Sequence, residues 1–246
     1  MLLEKTDQIK WDKLVGGQLA VWEVRQMLHR QQPSEQPEGP WSHALITISR
    51  THGAGGDGIA HETGKILRWP VYDRELVEYI AQTAHVRRRV VESLDEHRRS
   101  ETENWMQTLL DRGALGTDKY LKHLVTVLLT IAEHGQSIII GRGGNFVLTE
   151  VNVLRVLITA PLEWRATQIA EKRDISSKEA KKIIAEVDGD RSAYLQHYFH
   201  RDANDPTAYD LVLNVEHLSI RAAAQTIVAA MEQRLGAPRP VWEPTD

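Results

Sequence analysis

Ala44-Leu45-Ile46-Thr47-Ile48-Ser49-Arg50-Thr51-His52-Gly53-Ala54-Gly55-Gly56-Asp57-Gly58 is the stretch on which the reading of this chain turns. Its first half is a short β-branched run suited to a buried strand, and glycines at 53, 55, 56 and 58 follow at once. Ile59 to Leu67 then carries a helical pattern. Strand, glycine-rich turn and helix, in that order, aim main-chain N–H groups and a helix N-terminus at one spot, an arrangement suited to a phosphate. Side chains there would block the anion, and some positions in such a turn require positive φ. A tight turn with no ligand has the same local composition. The place beyond the carboxyl end of a strand in an α/β chain favours the phosphate.

Working outward, Trp69-Pro70-Val71-Tyr72 reads as a short second strand, with Asp73 placed to cap a helix from Arg74 to Ala84. Residues Val86 to Arg112 are charged and read as helical, and Tyr120 to Glu133 is apolar enough for a core helix. Ser137 to Ile140 and Val153 to Thr159 are continuous apolar runs, the pattern of central strands covered on both faces. Helices are expected at Leu162 to Arg173 and from Ser176, where Ser176 and Glu179 have capping-box spacing. Leu211 to Asn214 gives a last strand and Ser219 to Leu235 a closing helix. Strands alternating with helices predict an α/β fold with a doubly wound, mostly parallel sheet.

Ahead of that unit, Leu2 to Arg30 reads as helical, with a break expected near Gly16 and Gly17, where glycine costs helix stability. Three prolines among residues 31–40 mark an extended linker. The organisation expected is an N-terminal helical arm at 1–30, a linker at 31–43, the main domain at 44–235 and a tail at 236–246. The arm would pack on the main domain or, through residues 1–40, on another copy or a protein partner.

Composition narrows the classes. Hydrophobic residues make up 41% of the 246, enough to bury a core, and the net charge of −4 lacks the basic excess of a nucleic-acid binder. With no cysteine, disulfides, thiolate metal sites and a cysteine nucleophile are all excluded. No apolar run approaches the roughly 20 residues of a membrane span, and the first residues lack a secretion-signal layout, so a cytoplasmic protein is expected. Arg87 to Arg89, with Arg98 and Arg99, alternate with acids and read as a solvated helix face. His197, His200, Asp202 and Asp205 likewise read as solvated, so no metal-ligand set is assigned.

Two phosphate motifs compete. Gly53 to Gly58 satisfies G-x-G-x-x-G, and Asp73 lies 20 residues after Gly53, which keeps a dinucleotide-binding oxidoreductase open. The pattern G-x-x-x-x-G-K-[ST] fails for want of its lysine. The succession ITISRTHGAGGDGIA, WPVYDRELVEYIA, SIIIGRGGNFVL, VLRVLITAPLEWRATQI, EVDGDRSAYLQHYF and YDLVLN, spread over Leu45 to Leu235, resembles the cytidylate kinase-like family, divergent P-loop nucleoside monophosphate kinases.

That resemblance implies a P-loop kinase fold with helical lid and acceptor-side insertions. It also implies transfer of a phosphoryl group from ATP, with Mg2+, to a nucleoside monophosphate such as CMP or a similar small acceptor. Gly53, Ala54, Gly55, Gly56, Asp57 and Gly58 would form the phosphate loop, and Arg50 would supply the charge that the lysine normally gives. Asp73, Arg74, Arg142 and Asp188 would serve the acceptor, while Arg165, Arg173, Arg191 and Arg201 would gather over the transferring group. Departures are equally plain. Gly56 falls at the lysine, Gly58 at the hydroxyl that helps hold magnesium, Ile140 at a metal-organising aspartate and Gly143 at a base-reading aspartate. Within the loop, Asp57 follows the double glycine, where it would repel phosphate. A nucleotide-sensing module that has lost turnover is therefore the alternative.

Overall fold

A computed structural model describes residues 10–22, 39–94, 100, 103–104, 106–107, 118–149 and 152–239. Parts of the expected arm, linker, charged helix (with Arg98 and Arg99) and tail lie outside the described residues.

Five strands form one parallel sheet: β1 (Leu45–Arg50), β2 (Val71–Tyr72), β3 (Ser137–Ile140), β4 (Val153–Thr159) and β5 (Leu211–Asn214). Their spatial order is β2-β3-β1-β4-β5. β1 is therefore central, with Leu45 level with Ser137 on one side and Val153 on the other. The chain leaves β1 for β2 on one side and later crosses from β3 to β4 on the other, which opens a crevice beyond the carboxyl end of β1. The same order separates β1 from β2 by a full strand. A dinucleotide fold needs those two strands adjacent, so that alternative is set aside even though Asp73 directly follows β2.

Helices cover both faces, as continuous apolar strands require. Side chains alternate along β1, so Ile46 and Ile48 pack with α2 (Gly56–Leu67) and α9 (Ile220–Leu235) through Ile59, Ala224 and Ile227. Leu45 faces the other way, toward α3 (Arg74–Gln82) and α5 (Lys119–His134), meeting a cluster that includes Ile80, Leu124 and Leu128. Between these come α4 (Ala84–Glu92), the short α6 (Gly144–Val147), α7 (Leu162–Arg173) and α8 (Ser177–Phe199). The last two share a small core of their own, Ala166 and Ile169 against Ala180 and Ile184. α8 starts with the expected box: Ser176 Oγ accepts from Glu179 N at 3.2 Å, and Glu179 Oε2 accepts from Ser176 N at 3.0 Å.

Residues 10–22 form one unbroken helix, α1, so the break expected at Gly16 and Gly17 does not occur. Trp11, Val15, Leu19 and Trp22 are buried at spacings that keep them on one face, and they join the core of α3 and α5. Burial of that face outweighs the roughly 1 kcal/mol that each glycine costs. Trp22 stacks flat on His134, ring centroids 3.7 Å apart, and Tyr79 donates to Asp12 Oδ1 at 2.8 Å. Among the described residues, no helix is long and apolar enough to cross a membrane.

Candidate functional site

The loop after β1 turns through Gly53 (φ 86°) and Gly55 (φ 72°), and Gly55 caps α2 without offering a side chain. The first N–H groups of a helix have no intrahelical partner, so the amides that follow Gly55 are presented outward. A Cβ on Gly55 would meet nothing within 4 Å, which leaves the mouth of the turn open to an incoming group.

Gly56 is different. A Cβ there would lie 2.6 Å from the Cβ of Arg50 and 2.9 Å from its Cγ. The stem of Arg50 therefore fills the space that a side chain at 56 would need. Its head continues to Gly141, where an added Cβ would come within 2.9 Å of an Arg50 guanidinium nitrogen, and its Nε donates to Asp57 Oδ1 at 3.0 Å. Counting the P-loop pattern from Gly55 and Gly56 puts the hydroxyl position at Asp57, not at Gly58 as the resemblance first suggested. Gly58 instead lets α9 approach, Ile220 lying 3.3 Å from its added Cβ.

Beyond the carboxyl ends of β1 and β3, beneath α8, lies a cavity of about 680 Å³ whose wall includes Arg50, Arg74, Arg142, Arg165, Asp188 and Arg191. Arg165 on α7 donates through Nε to Ala160 O (2.9 Å) and through Nη1 to His52 O (3.0 Å) and Asp188 Oδ2 (2.6 Å). Arg191 on α8 donates to Arg50 O at 2.9 Å. Burial, and then the neighbouring charge of Arg50, push the Arg191 guanidinium down to about 10. His52 is also held below its usual value, by burial and then by Arg191.

Arg142 sits between Gly141 and Gly143, all three with positive φ; for an arginine (φ 54°) this conformation costs of order 1 kcal/mol or more. It directs the side chain to Glu78 Oε2 at 2.7 Å and over the ring of Tyr194, 5.0 Å from the centroid. Tyr120 donates to the same Glu78 oxygen at 2.8 Å. Arg142 Nε is buried with no hydrogen-bond partner in the protein, an atom that a bound group would satisfy. Gly143 is bare because Phe199, at the end of α8, occupies the space, 2.3 Å from an added Cβ.

Five expected arginines, 50, 74, 142, 165 and 191, are thus brought together with Asp188. Arg173 and Arg201 are exposed and not on the cavity wall. Asp73 is used as a cap, accepting from Leu76 N at 2.8 Å, and burial holds its carboxyl above the usual range. It borders a different, more apolar cavity of about 560 Å³ between α1, α2 and α3. Glu78, Tyr120 and Phe199 were not foreseen from sequence, since nothing in their local pattern distinguishes them from ordinary helix residues.

Residues 45–217 match the cytidylate kinase-like family. The chain belongs to that family. A cytidylate kinase of Methanoregula boonei is 30% identical over 105 residues, which is 42% of this chain and 57% of that one. Another, from Pyrococcus horikoshii, is 31% identical over 102 residues, 41% of this chain and 52% of that one. The chain thus spans little more than half the length of these relatives. An uncharacterized protein of Eubacterium ventriosum has the same fold, with a TM-score of 0.61 at 18% identity, covering 78% of this chain and 99% of that one.

Proposed function

We propose that this protein is a phosphotransferase that moves the γ-phosphoryl group of ATP to a nucleoside monophosphate, CMP being the acceptor its relatives' names suggest. The observation that carries the reading is the exchange between Arg50 and Gly56: the cation absent from the helix start is supplied from the strand end, through the slot that glycine leaves. The α2 amides and Arg50 would hold the donor phosphates, and Arg142 the acceptor phosphate. Arg165 and Arg191 would stabilise charge on the group in flight, since such transfer asks the protein mainly for alignment and neutralisation. An acceptor oxygen bonds to the γ-phosphorus as the bond to the β–γ bridging oxygen breaks, giving ADP and a diphosphate. Arg173 and Arg201, as placed, take no part in this reading.

Magnesium fits the donor chemistry of the loop. Among the described residues no group of three or more acidic or histidine side chains could enclose a metal. Mg2+, however, is commonly bound through one carboxylate and substrate phosphates, and Asp57, 65% exposed in the first turn of α2, is a hard oxygen donor at that place. When bound it would neutralise phosphate charge. The reading of Asp57 as merely repelling phosphate gives way to one in which it pairs with Arg50 until such a complex enters.

Nucleotide binding without turnover is the second reading, favoured by the carboxylates that already neutralise Arg50, Arg142 and Arg165. Mg2+-dependent ADP formation across a panel of nucleoside monophosphates, beside calorimetric binding of ATP, separates the two. Arg50→Ala is expected to lower kcat by about 10²–10³. ATP binding with no turnover in the parent chain selects the sensor, and absence of ATP binding overturns both.

A further inference from the structure

Asp188 is fixed more firmly than an acceptor-binding residue needs to be. Its Oδ1 accepts from the main-chain N–H of His52 at 2.7 Å, and its Oδ2 accepts from Arg165 Nη1 at 2.6 Å. Arg191 Nη1 stands 3.5 Å from Oδ1. One two-oxygen anion is therefore held from three places, by hydrogen bonds from the glycine-rich loop and α7 and by an ion pair with α8. The three side chains are largely shielded, 27% exposed for Asp188, 12% for Arg165 and 25% for Arg191. A main-chain amide of the loop flanked by two guanidinium groups is the donor set that a phosphoryl oxygen seeks. Of the five guanidinium groups on the cavity wall, Arg50, Arg74 and Arg142 pair with Asp57, Glu75 and Glu78, while Arg165 and Arg191 both face Asp188. With Asp188 withdrawn, Arg165 and Arg191 would lose their carboxylate in a site largely shielded from water, leaving positive charge that an entering polyanion would neutralise.

We propose that Asp188 is an internal stand-in for phosphate, filling an oxyanion subsite made by the His52 amide, Arg165 and Arg191, so that polyphosphate enters only by displacing it. This reverses the role expected from sequence, in which Asp188 holds the acceptor. It also ties ligand entry to α8, because the displaced carboxylate belongs to that helix.

Inorganic tripolyphosphate tests the idea without base, sugar or acceptor. Calorimetric titration of the full chain is expected to show Asp188→Asn binding it at least about tenfold tighter than the parent, roughly 1.4 kcal/mol. The substitution is isosteric and keeps an oxygen that can accept from His52. Unchanged or weaker affinity overturns the proposal. So does a variant that loses CMP while tripolyphosphate binding is unaltered, because that is the signature of an acceptor contact. Should Asp188→Asn fail to fold, hydrogen exchange on the parent chain decides. Saturating tripolyphosphate must alter protection at His52 and along α8, and no change at either refutes the displacement. Tripolyphosphate binding is read apart from phosphoryl transfer, so a chain lacking turnover defeats the kinase reading while this one stands or falls by itself.

Discussion

Restoring the missing lysine should damage this protein rather than improve it. In Gly56→Lys the new Cβ is placed 2.6 Å from Arg50 Cβ, well inside ordinary contact, and Arg50 Cβ is fixed to the backbone at the end of the central strand. The Arg50 head cannot swing clear at no cost, because it is held at Asp57 and lies over Gly141. Overpacking of this kind costs about 1–3 kcal/mol. For a chain of this length, about 2 kcal/mol lowers Tm by roughly 4–8 °C. ATP affinity should fall as well, since two cations then compete for one phosphate position. The double variant Arg50→Gly/Gly56→Lys vacates the slot and moves the cation back to the helix. Calorimetric Tm and ATP titration of both singles and the double form a cycle, with an expected coupling of at least about 1 kcal/mol. If Gly56→Lys melts like the parent and binds ATP as tightly, or if the two changes add independently, the exchange between Arg50 and Gly56 is wrong.

Two further outcomes follow from the packing and the titrating groups. Trp22→Ala, at a side chain 2% exposed and stacked on His134, should cost about 3–5 kcal/mol, a fall in Tm near 10 °C. An unchanged melting curve would mean that α1 is an independent arm. His52 and His123 are both held below the ordinary histidine value, first by burial and then by neighbouring cations. Their unfolded forms therefore take up protons at a higher pH than their folded forms. The stability they contribute is complete above about pH 6.5 and is lost as pH falls through their folded values. Tm measured between about pH 5 and 8 should drop on the acid side, and His52→Asn/His123→Asn should flatten that drop. An equally steep decline in the double variant would refute the assignment.

The elements themselves were readable because their signals are local. Apolar runs at Ser137–Ile140 and Val153–Thr159 marked strands, and Ser176 with Glu179 marked the start of a helix. The continuity of α1 through Gly16 and Gly17 was not, because it depends on a receiving surface built by α3 and α5. Nor does a single sequence disclose that β3 inserts between β1 and β2, the fact that removes the dinucleotide alternative. At the site, the loss of a lysine at 56 and the presence of Arg50 were each visible. Only in space does one explain the other. The bond between His52 and Asp188 joins residues 136 apart in the chain, and no local pattern could have paired them.

α8 also has mechanical properties. Phe199 lodges against bare Gly143 and pins the helix at its carboxyl end, while Asp188 ties it at mid-length. At 1.5 Å per residue the tie lies about 16 Å from the pin and the far end, near Ser177, about 33 Å from it. α7 packs against α8 through the apolar patch that the two helices share, on the stretch between the tie and the outer tip. A shift of a few ångströms where the tie lets go is therefore roughly doubled at the outer tip, turning a local exchange of anions into leverage.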